Sequence, residues 1–473
     1  MKYKLFFWGL LIIVSTSVVA QYTSDYHKIF GSPYSSSVNC ICTDADGNTY
    51  LAGEFNKNLI MGSYRYKDRW GGFIARLDIN NEIVWMHRAD MKIKNIEITG
   101  KVLSIFAQSS KSSNFAGHPI AYSGEHYMAV LASVNTENGE VIWLKELTGS
   151  ADVFAADMTL GGVKNDIYIT GAFRNEINLD GKTLNKTHEK NNFIAKISQD
   201  GKLHWMKQVS GGDTFVTGIT ISAIAANQYG DFAITGELSG IADFAGHCFD
   251  VTDLKNDNPM IASHRFVYVA NFDSEGRFLR IHRAITEAEV TDMAFHNDQV
   301  YLCGYYTGAY IPERISAFSI FGDTTVIDAV TNNKGSLLEN WFVICFKGEH
   351  PYWHISTQGQ NSSRALSIVA DKQGNCYAGG FFYDHIILPN NTEVKTLEAP
   401  FTPGMLVMKI SDTGELLWAK TADKPTGLTK VFNVSLNHML VVCGEISGNA
   451  MFGNMFVESR GKHQNGFVAK FDL

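Results

Sequence analysis

The chain is poor in several things that most often announce a function. After the first 20 residues no stretch is apolar for the ~20 residues a membrane-crossing helix needs. Basic runs are missing, and 48 acidic residues outnumber 40 basic ones, which argues against nucleic acid as a partner. Cysteines number seven, an odd and small set that rules out a full disulfide framework and leaves at most a single bridge open. Cys40 and Cys42 have no second pair with which to build a zinc site, and they read as small buried apolar residues. The Gly-x-Ser-x-Gly elbow, the His-Glu-x-x-His pair, the phosphate-binding Gly-Lys-Ser/Thr loop and the dinucleotide fingerprint are all absent. No cofactor or metal is expected, and helical periodicity does not occur beyond residue 20.

The amino terminus, "MKYKLFFWGLLIIVSTSVVAQ", has Lys2 and Lys4, an uncharged apolar run and then small residues. That is the pattern of a secretory signal peptide, with cleavage expected after Ala20. The reading divides the chain into a leader (1–20) and a mature domain (21–473), exported to the periplasm, the cell surface or the medium and monomeric. Loss of Lys2 and Lys4 takes the formal charge from −8 to −10. With 45% hydrophobic and 19% charged residues, the mature chain has the balance of a folded protein.

What the sequence has in abundance is repetition. The segment "YLAGEF" (50–55) recurs as "YITGAF" (168–173), "AITGEL" (233–238), "YLCGYY" (301–306), "YAGGFF" (377–382) and "VVCGEI" (441–446). A weaker copy, "LSIFAQ" (103–108), has Ala107 where the others have glycine; those glycines are read as 53, 171, 236, 304, 379 and 444. A second element recurs in step, for example "GGFIARLD" (71–78), "NNFIAKIS" (191–198) and "GFVAKFDL" (466–473). A third carries Trp85, Trp143, Trp205, Trp353 and Trp418, with Leu279 read into that column in the fourth copy. A fourth precedes each glycine strand, as in "VNCICTD" (38–44) and "VTDMAFHN" (290–297).

Each unit is thus four short strands rich in β-branched and aromatic residues, separated by turn residues. Four-stranded units about 65 residues apart match a β-propeller. Seven copies imply an all-β, seven-bladed β-propeller of four-stranded blades. The third element has only six copies, but "SDYHKIFGSP" (24–33) aligns with it and puts Tyr26 in the Trp column. It would complete the last blade and close the ring, removing exposed sheet edges.

The segments "NNFIAKISQDGKLHWMKQVSGGD" (191–213) and "DADGNTYLAGEF" (44–55) resemble the SBBP-type β-propeller repeats of secreted bacterial proteins, frequent in Bacteroidota. The resemblance spans essentially the whole mature chain. It implies the propeller fold and an extracellular or periplasmic location, and it implies no activity, since these repeats have no general catalytic residues.

Residues that recur in most blades read as structural. The glycines allow close approach, the Trp row packs blade on blade, and Arg76, Lys196, Lys409 and Lys470 occupy one equivalent position on a solvated or salt-bridged strand face. "TDADGNTYLAGEF" (43–55) has the look of a calcium loop, but Gly47 falls fourth and Phe55 stands at position 12, so it reads as a hairpin turn. Function is expected where blades depart from the repeat, in the connections 239–264, 307–339 and 383–403. They hold the candidate ligand-binding residues His247, Asp250, Asp253, His264, Tyr310, Glu313, Arg314, Asp323 and His385, and the aromatics Phe244, Phe249, Phe318 and Phe321. Phe244 and Phe321 also read as hairpin packing residues ahead of Gly246 and Gly322. The favoured function is a non-enzymatic binding or scaffold propeller contacting a protein or glycan through these loops. The alternative is a polysaccharide- or peptide-acting enzyme with its site at the channel mouth.

Overall fold

Short runs of Val, Ile, Phe and Tyr broken by Gly, Asn and Asp cannot bury a helical stripe, but they can pair edge to edge. In the computed structural model the described residues form strands and turns and no helix. It describes residues 26–30, 35–110, 113–120, 126–212, 218–250, 266–285, 288–307, 309–311, 314–316, 318–319, 326–327, 338–348, 350–359, 361–389, 393–395, 402–423, 425–452, 455–459, 463–471 and 473. The leader read at 1–20 lies outside them.

Six blades are each built from one continuous run of chain: blade I (36–89), II (92–147), III (153–211), IV (218–285), V (288–356) and VI (363–421). The remaining sheet is a composite of both chain ends. Thr429–Leu436, Leu440–Ile446 and Asn465–Phe471 pair in turn, and Tyr26–Phe30 adds to the outside, with Tyr26 opposite Lys470 and Phe30 opposite Gly466. This corrects the expectation of a seven-bladed β-propeller of four-stranded blades. Self-contained blades number six rather than seven, and among them only II, V and VI are plain four-stranded sheets. The sheets of blades I and III run to six strands and that of blade IV to seven.

The extra strands have a common origin. From the channel outward each blade has strands a, b, c and d, and beyond blade I the b–c connection folds into a hairpin that reaches back to the outer edge of the preceding blade. Phe115 pairs with Ala89, Phe244 with Val209, and Ser319 with Ile285. Single bridges do the same between Thr148 and Asn178 and between Asp423 and Met451. Repeat counting assumes that each copy is its own sheet; these latches break that assumption.

The core lies in the seams between blades. Ile41, Leu51 and Phe73 of blade I pack with Val441, Cys443 and Val468 of the composite sheet, all 4% exposed or less. All seven cysteines are free, and all but Cys248 are buried, their thiols acting as small apolar groups.

One irregularity recurs in every inner strand. The a–b register slips by one residue between Val38/Cys40, Ile93/Asn95, Ala155/Asp157, Val290/Asp292, Ala365/Ser367 and Val431/Asn433. In blade IV the same slip divides strand a into Gly218–Ile219 and Ala223–Ala226. Each is a β-bulge. The repeat glycine of strand b faces it. A Cβ on Gly53, Gly171, Gly236, Gly304, Gly380 or Gly444 would collide with a backbone oxygen of strand a, namely that of Ser37, Phe154, Thr220, Glu289, Arg364 or Lys430. The sixth copy's glycine is therefore Gly380, not Gly379, whose missing Cβ instead makes room for Val431 and Val434 of the composite sheet.

Two measurements test this architecture. Gly304→Ala should destabilise by ~2–4 kcal/mol, against ~1 kcal/mol for Gly348→Ala, where only a positive φ is strained. Equal melting temperatures for the two variants would reject the carbonyl contact as the reason for the glycine. Deleting residues 21–34 strips Tyr26–Phe30 from the composite sheet and should lower the melting temperature of the whole domain; unaltered melting would show that the ring does not need that strand.

Candidate functional site

Polar side chains gather in the central channel. A cavity of about 400 Å³ is lined there by Cys42, Asn95, Glu97, Asp157, Asp292 and Asn433, among others. Its lining comes from the bulge to the far end of each inner strand, so it lies toward the tight a–b turns. The long b–c connections leave the opposite ends of the strands. The expected pocket walled by those connections is thus not where this cavity is.

The bulge turns the residue after it toward the next blade, and most residues in that column bond across the seam. Cys40 Sγ donates to the Lys94 carbonyl at 3.2 Å. Asn95 Nδ2 donates to Asp157 Oδ1 at 2.6 Å and to the Met158 carbonyl at 2.7 Å. Asp157 accepts from its neighbour Met158 N at 2.8 Å and, across the seam, from Ile224 N at 2.9 Å. Asp292 does the same with Met293 N at 2.8 Å and Ile368 N at 2.9 Å. Ser367 Oγ accepts from Val434 N at 3.3 Å. These carboxylates clamp blades together.

Glu97 differs. It is half-buried, lines the cavity, and has no hydrogen-bond partner among the described residues. Burial, then the charges of Asp157 and Asp292, pushes its carboxyl up to about 8. Burial and the Asp157 charge push Asp292 up to about 7, against the pull of its amide donors. Glu97 is therefore a neutral acid at neutral pH. Sequence reading missed this set. The signal was available in the aligned column: Cys42, Thr159, Ala225, Ala294, Val369 and Ser435 stand where blade II has Glu97.

The Asp44 turn is a hairpin cap. Asp44 Oδ1 accepts from Asp46 N at 3.1 Å and Asn48 N at 2.9 Å, and Oδ2 from Asn48 Nδ2 at 2.8 Å and Tyr50 Oη at 3.0 Å. Asp371 repeats the pattern with Gln373, Asn375 and Tyr377. Both carboxylates are occupied by their own turns. Among the described residues no group of three His, Cys, Asp or Glu is placed to hold a metal ion.

The loop residues singled out from the sequence are not brought together where they are described. His247 and Asp250 lie exposed on the strand His247–Asp250 of the blade IV latch, the His247 ring 5.2 Å from that of Phe278. Phe244 is fully buried in the same latch, with Phe249 edge-on to it at 5.8 Å, which is the packing role. His385 is half-buried, its Nδ1 3.5 Å from Asp384 Oδ2, which also accepts from Asn361 Nδ2 at 3.1 Å. Tyr310 and Arg314 belong to a two-stranded hairpin, Ala309–Ile311 with Arg314–Ser316. Asp253, His264, Glu313 and Asp323 lie outside the described residues.

The Trp row packs and bonds across seams. Trp85 Nε1 donates to the Thr136 carbonyl at 2.8 Å, Trp143 to Gln199 at 2.9 Å and Trp353 to Asp412 at 2.8 Å. The turn glycine of the following blade lies under each ring: a Cβ on Gly139, Gly201 or Gly414 would come within 3.0 Å of Trp85, Trp143 or Trp353. The fourth copy's occupant of this column is Arg280, paired with Asn271, and Leu279 is exposed beside it.

No protein-family model and no curated protein matches this chain. Solved structures are similar in fold. BamB from Moraxella catarrhalis is 12% identical, covering 94% of this chain and 100% of that one, with a TM-score of 0.35. A DUF4221 family member from Bacteroides vulgatus is 10% identical, covering 95% and 99%, with a TM-score of 0.28. Quinohemoprotein alcohol dehydrogenase from Comamonas testosteroni is 8% identical, covering 94% and 76%, with a TM-score of 0.39. The likeness is one of β-propeller fold; the SBBP type finds no matching family model. No helix among the described residues is long and apolar enough to cross a membrane.

The raised acids set a pH dependence. Across the window from the ordinary Glu value near 4.5 up to about 8, the folded chain keeps a proton on Glu97 that the unfolded chain has lost. Stability must therefore fall as pH rises through that window. The melting temperature should be higher at pH 5 than at pH 8.5, and Glu97→Gln should shrink the difference, with Asp292 supplying part of the remainder. A wild-type protein that gains stability over this range would contradict the assignment.

Proposed function

We propose that the chain is a non-enzymatic binding or scaffold propeller that contacts a protein or glycan through the face bearing the b–c connections of blades IV to VI. One observation carries this reading: the oxygens of the channel carboxylates Asp157 and Asp292 are taken up by backbone amides on either side of a seam, so the polar interior serves assembly. Glycoside hydrolysis needs two carboxyl groups free to act on the substrate, and among the described residues lining this cavity only Glu97 has its carboxyl free of hydrogen bonds. What remains variable is the b–c face. At its base the latches are structural, as buried Phe244 and the paired strands Phe318–Ser319 and Val326–Ile327 show, while 251–264 and 328–337 are further lengths of sequence beyond the latch strands. His247 and Asp250, in the strand that leads into 251–264, and His385 would supply polar contacts to a ligand. The same reading makes the protein an exported one, on the pattern at residues 1–20 alone. The enzymatic alternative rests on Glu97, a protonated acid facing a cavity.

A glycan array and a protein-binding screen should be run on the full chain and on variants in which 251–264 or 328–337 is replaced by a short Gly-Ser linker, leaving the latch strands intact. Expected is a loss of affinity of about tenfold or more for any ligand found, with the melting temperature little changed. Undiminished binding by both shortened variants would place the contact elsewhere. Loss on Glu97→Gln instead would favour the channel.

A further inference from the structure

A cross-strand pair repeats on the outer part of the blades. Tyr50 stands opposite Arg76, Tyr168 opposite Lys196, and Tyr377 opposite Lys409. In each pair the cation lies over the ring, at 5.9, 5.4 and 5.1 Å from its centroid. The Trp of strand d closes the other side, its ring 6.3 Å from Tyr50, 6.2 Å from Tyr168 and 6.0 Å from Tyr377. The cation then reaches the next blade. Arg76 Nη1 donates to the Thr136 carbonyl at 3.0 Å, and Lys196 Nζ to that of Ser274 at 3.3 Å.

The composite sheet keeps the cation and lacks the tyrosine: Lys470 stands opposite Val441. Where the ring would lie, at the seam with blade I, there is a cavity of about 330 Å³ lined by Ile79, His438, Met439, Val441 and Lys470, with one carboxylate, Asp46, also in its lining. Lys470 is 6% exposed and makes no hydrogen bond or ion pair among the described residues. Asp44 and Asp78 act on it only from a distance, and Asp44 is already engaged by its own turn. An ammonium on so buried a side chain, with no bonded counter-charge among the described residues, carries a desolvation cost. Burial accordingly pulls its pKa down, a penalty that an incoming anion would relieve.

We propose that this cavity binds a monocarboxylate with a short apolar body, its carboxylate on the Lys470 ammonium and its tail against Ile79, Met439 and Val441. A single cation calls for a single negative charge. A phosphate would bring a second charge toward Asp44 and Asp78 and find no arginine fork to receive it. The volume is at the small end of ligand sites, ~300–1,000 Å³, which limits the tail. The site opens on the side of the a–b and c–d turns, opposite the b–c connections. It stands or falls independently of the function proposed above.

Calorimetry with octanoate, octanol and octylamine on the full chain at pH 7 tests it. Octanoate should bind saturably with one site, octanol at least tenfold more weakly, and octylamine not at all. Lys470→Met should weaken octanoate at least tenfold. Val441→Tyr, which restores the repeat residue and fills the cavity, should abolish binding. Lys409→Met, at the equivalent position in blade VI, should leave it unchanged. Absence of saturable octanoate binding, octanol binding as well as octanoate, or full affinity in a folded Lys470→Met protein would each overturn the proposal.

Discussion

The ring depends on a close approach between a backbone carbonyl and a missing side chain. In each bulged inner strand one carbonyl turns toward strand b, and it can do so where a glycine leaves the space empty. The contact itself contributes little energy. Its effect is geometric: the bulge inserts one residue, shifts the phase of the strand, and turns the next side chain from the sheet face toward the neighbouring blade. Cys40, Asn95, Asp157, Asp292 and Ser367 make their seam contacts from that position. Blade II performs the same slip with Ala107 in the glycine place, and its Asn95 still crosses to blade III.

From this follows how polarity is distributed. A ring of sheets brings many inner-strand ends to a narrow channel, where unpaired amides would be costly. The free N–H groups of Ile224, Ile368 and Val434 are met by a side chain from the blade before, so part of the channel's acidity is the fold's own requirement. A second set of seams is closed further out by Trp rings over turn glycines, and a third by the b–c latches. Adjacent blades are thus tied at three radii. The features free to vary are those that belong to none of the three ties: the Glu97 column, the tips of the b–c connections and the aromatic column of strand b.

How much of this was legible in the sequence follows from what repeats. The strand periods, the Trp column and the capped turn at Asp44 recur as letters and were readable. The bulge does not recur as a letter. Its column reads Cys40, Asn95, Asp157, Ala223, Asp292, Ser367 and Asn433, of which Cys40, Asn95, Asp157, Asp292 and Ser367 share a hydrogen-bonding role and not an identity. Two columns were read one residue off. "YAGGFF" offers adjacent glycines with different jobs, and only the carbonyl of Arg364 distinguishes Gly380 from Gly379. "RFLRIHRA" tempts an apolar match to Trp, yet pairing with Asn271 puts Arg280 there. The number of equivalent blades was misjudged for a related reason: letters count copies, while latches and shared ends decide which strands make a sheet. The loop residues were chosen because their segments are long, and length alone does not separate a latch such as Phe244 from an addition beyond it.

The aromatic column makes the last point physical. Where strand b has Tyr and strand d has Trp, the outer seam is full. Blade IV has Ala233 and Arg280 in those places, and a cavity of about 500 Å³ bordered by Phe232, Asn271 and Arg280 opens beside them. The composite sheet has Val441, and the Lys470 cavity opens. In both, the smaller residue leaves space at the seam that the neighbouring side chains do not fill. A repeat architecture of this kind acquires pockets by losing a packing residue from one copy, and the position of that copy in the ring decides which neighbouring turns form the walls.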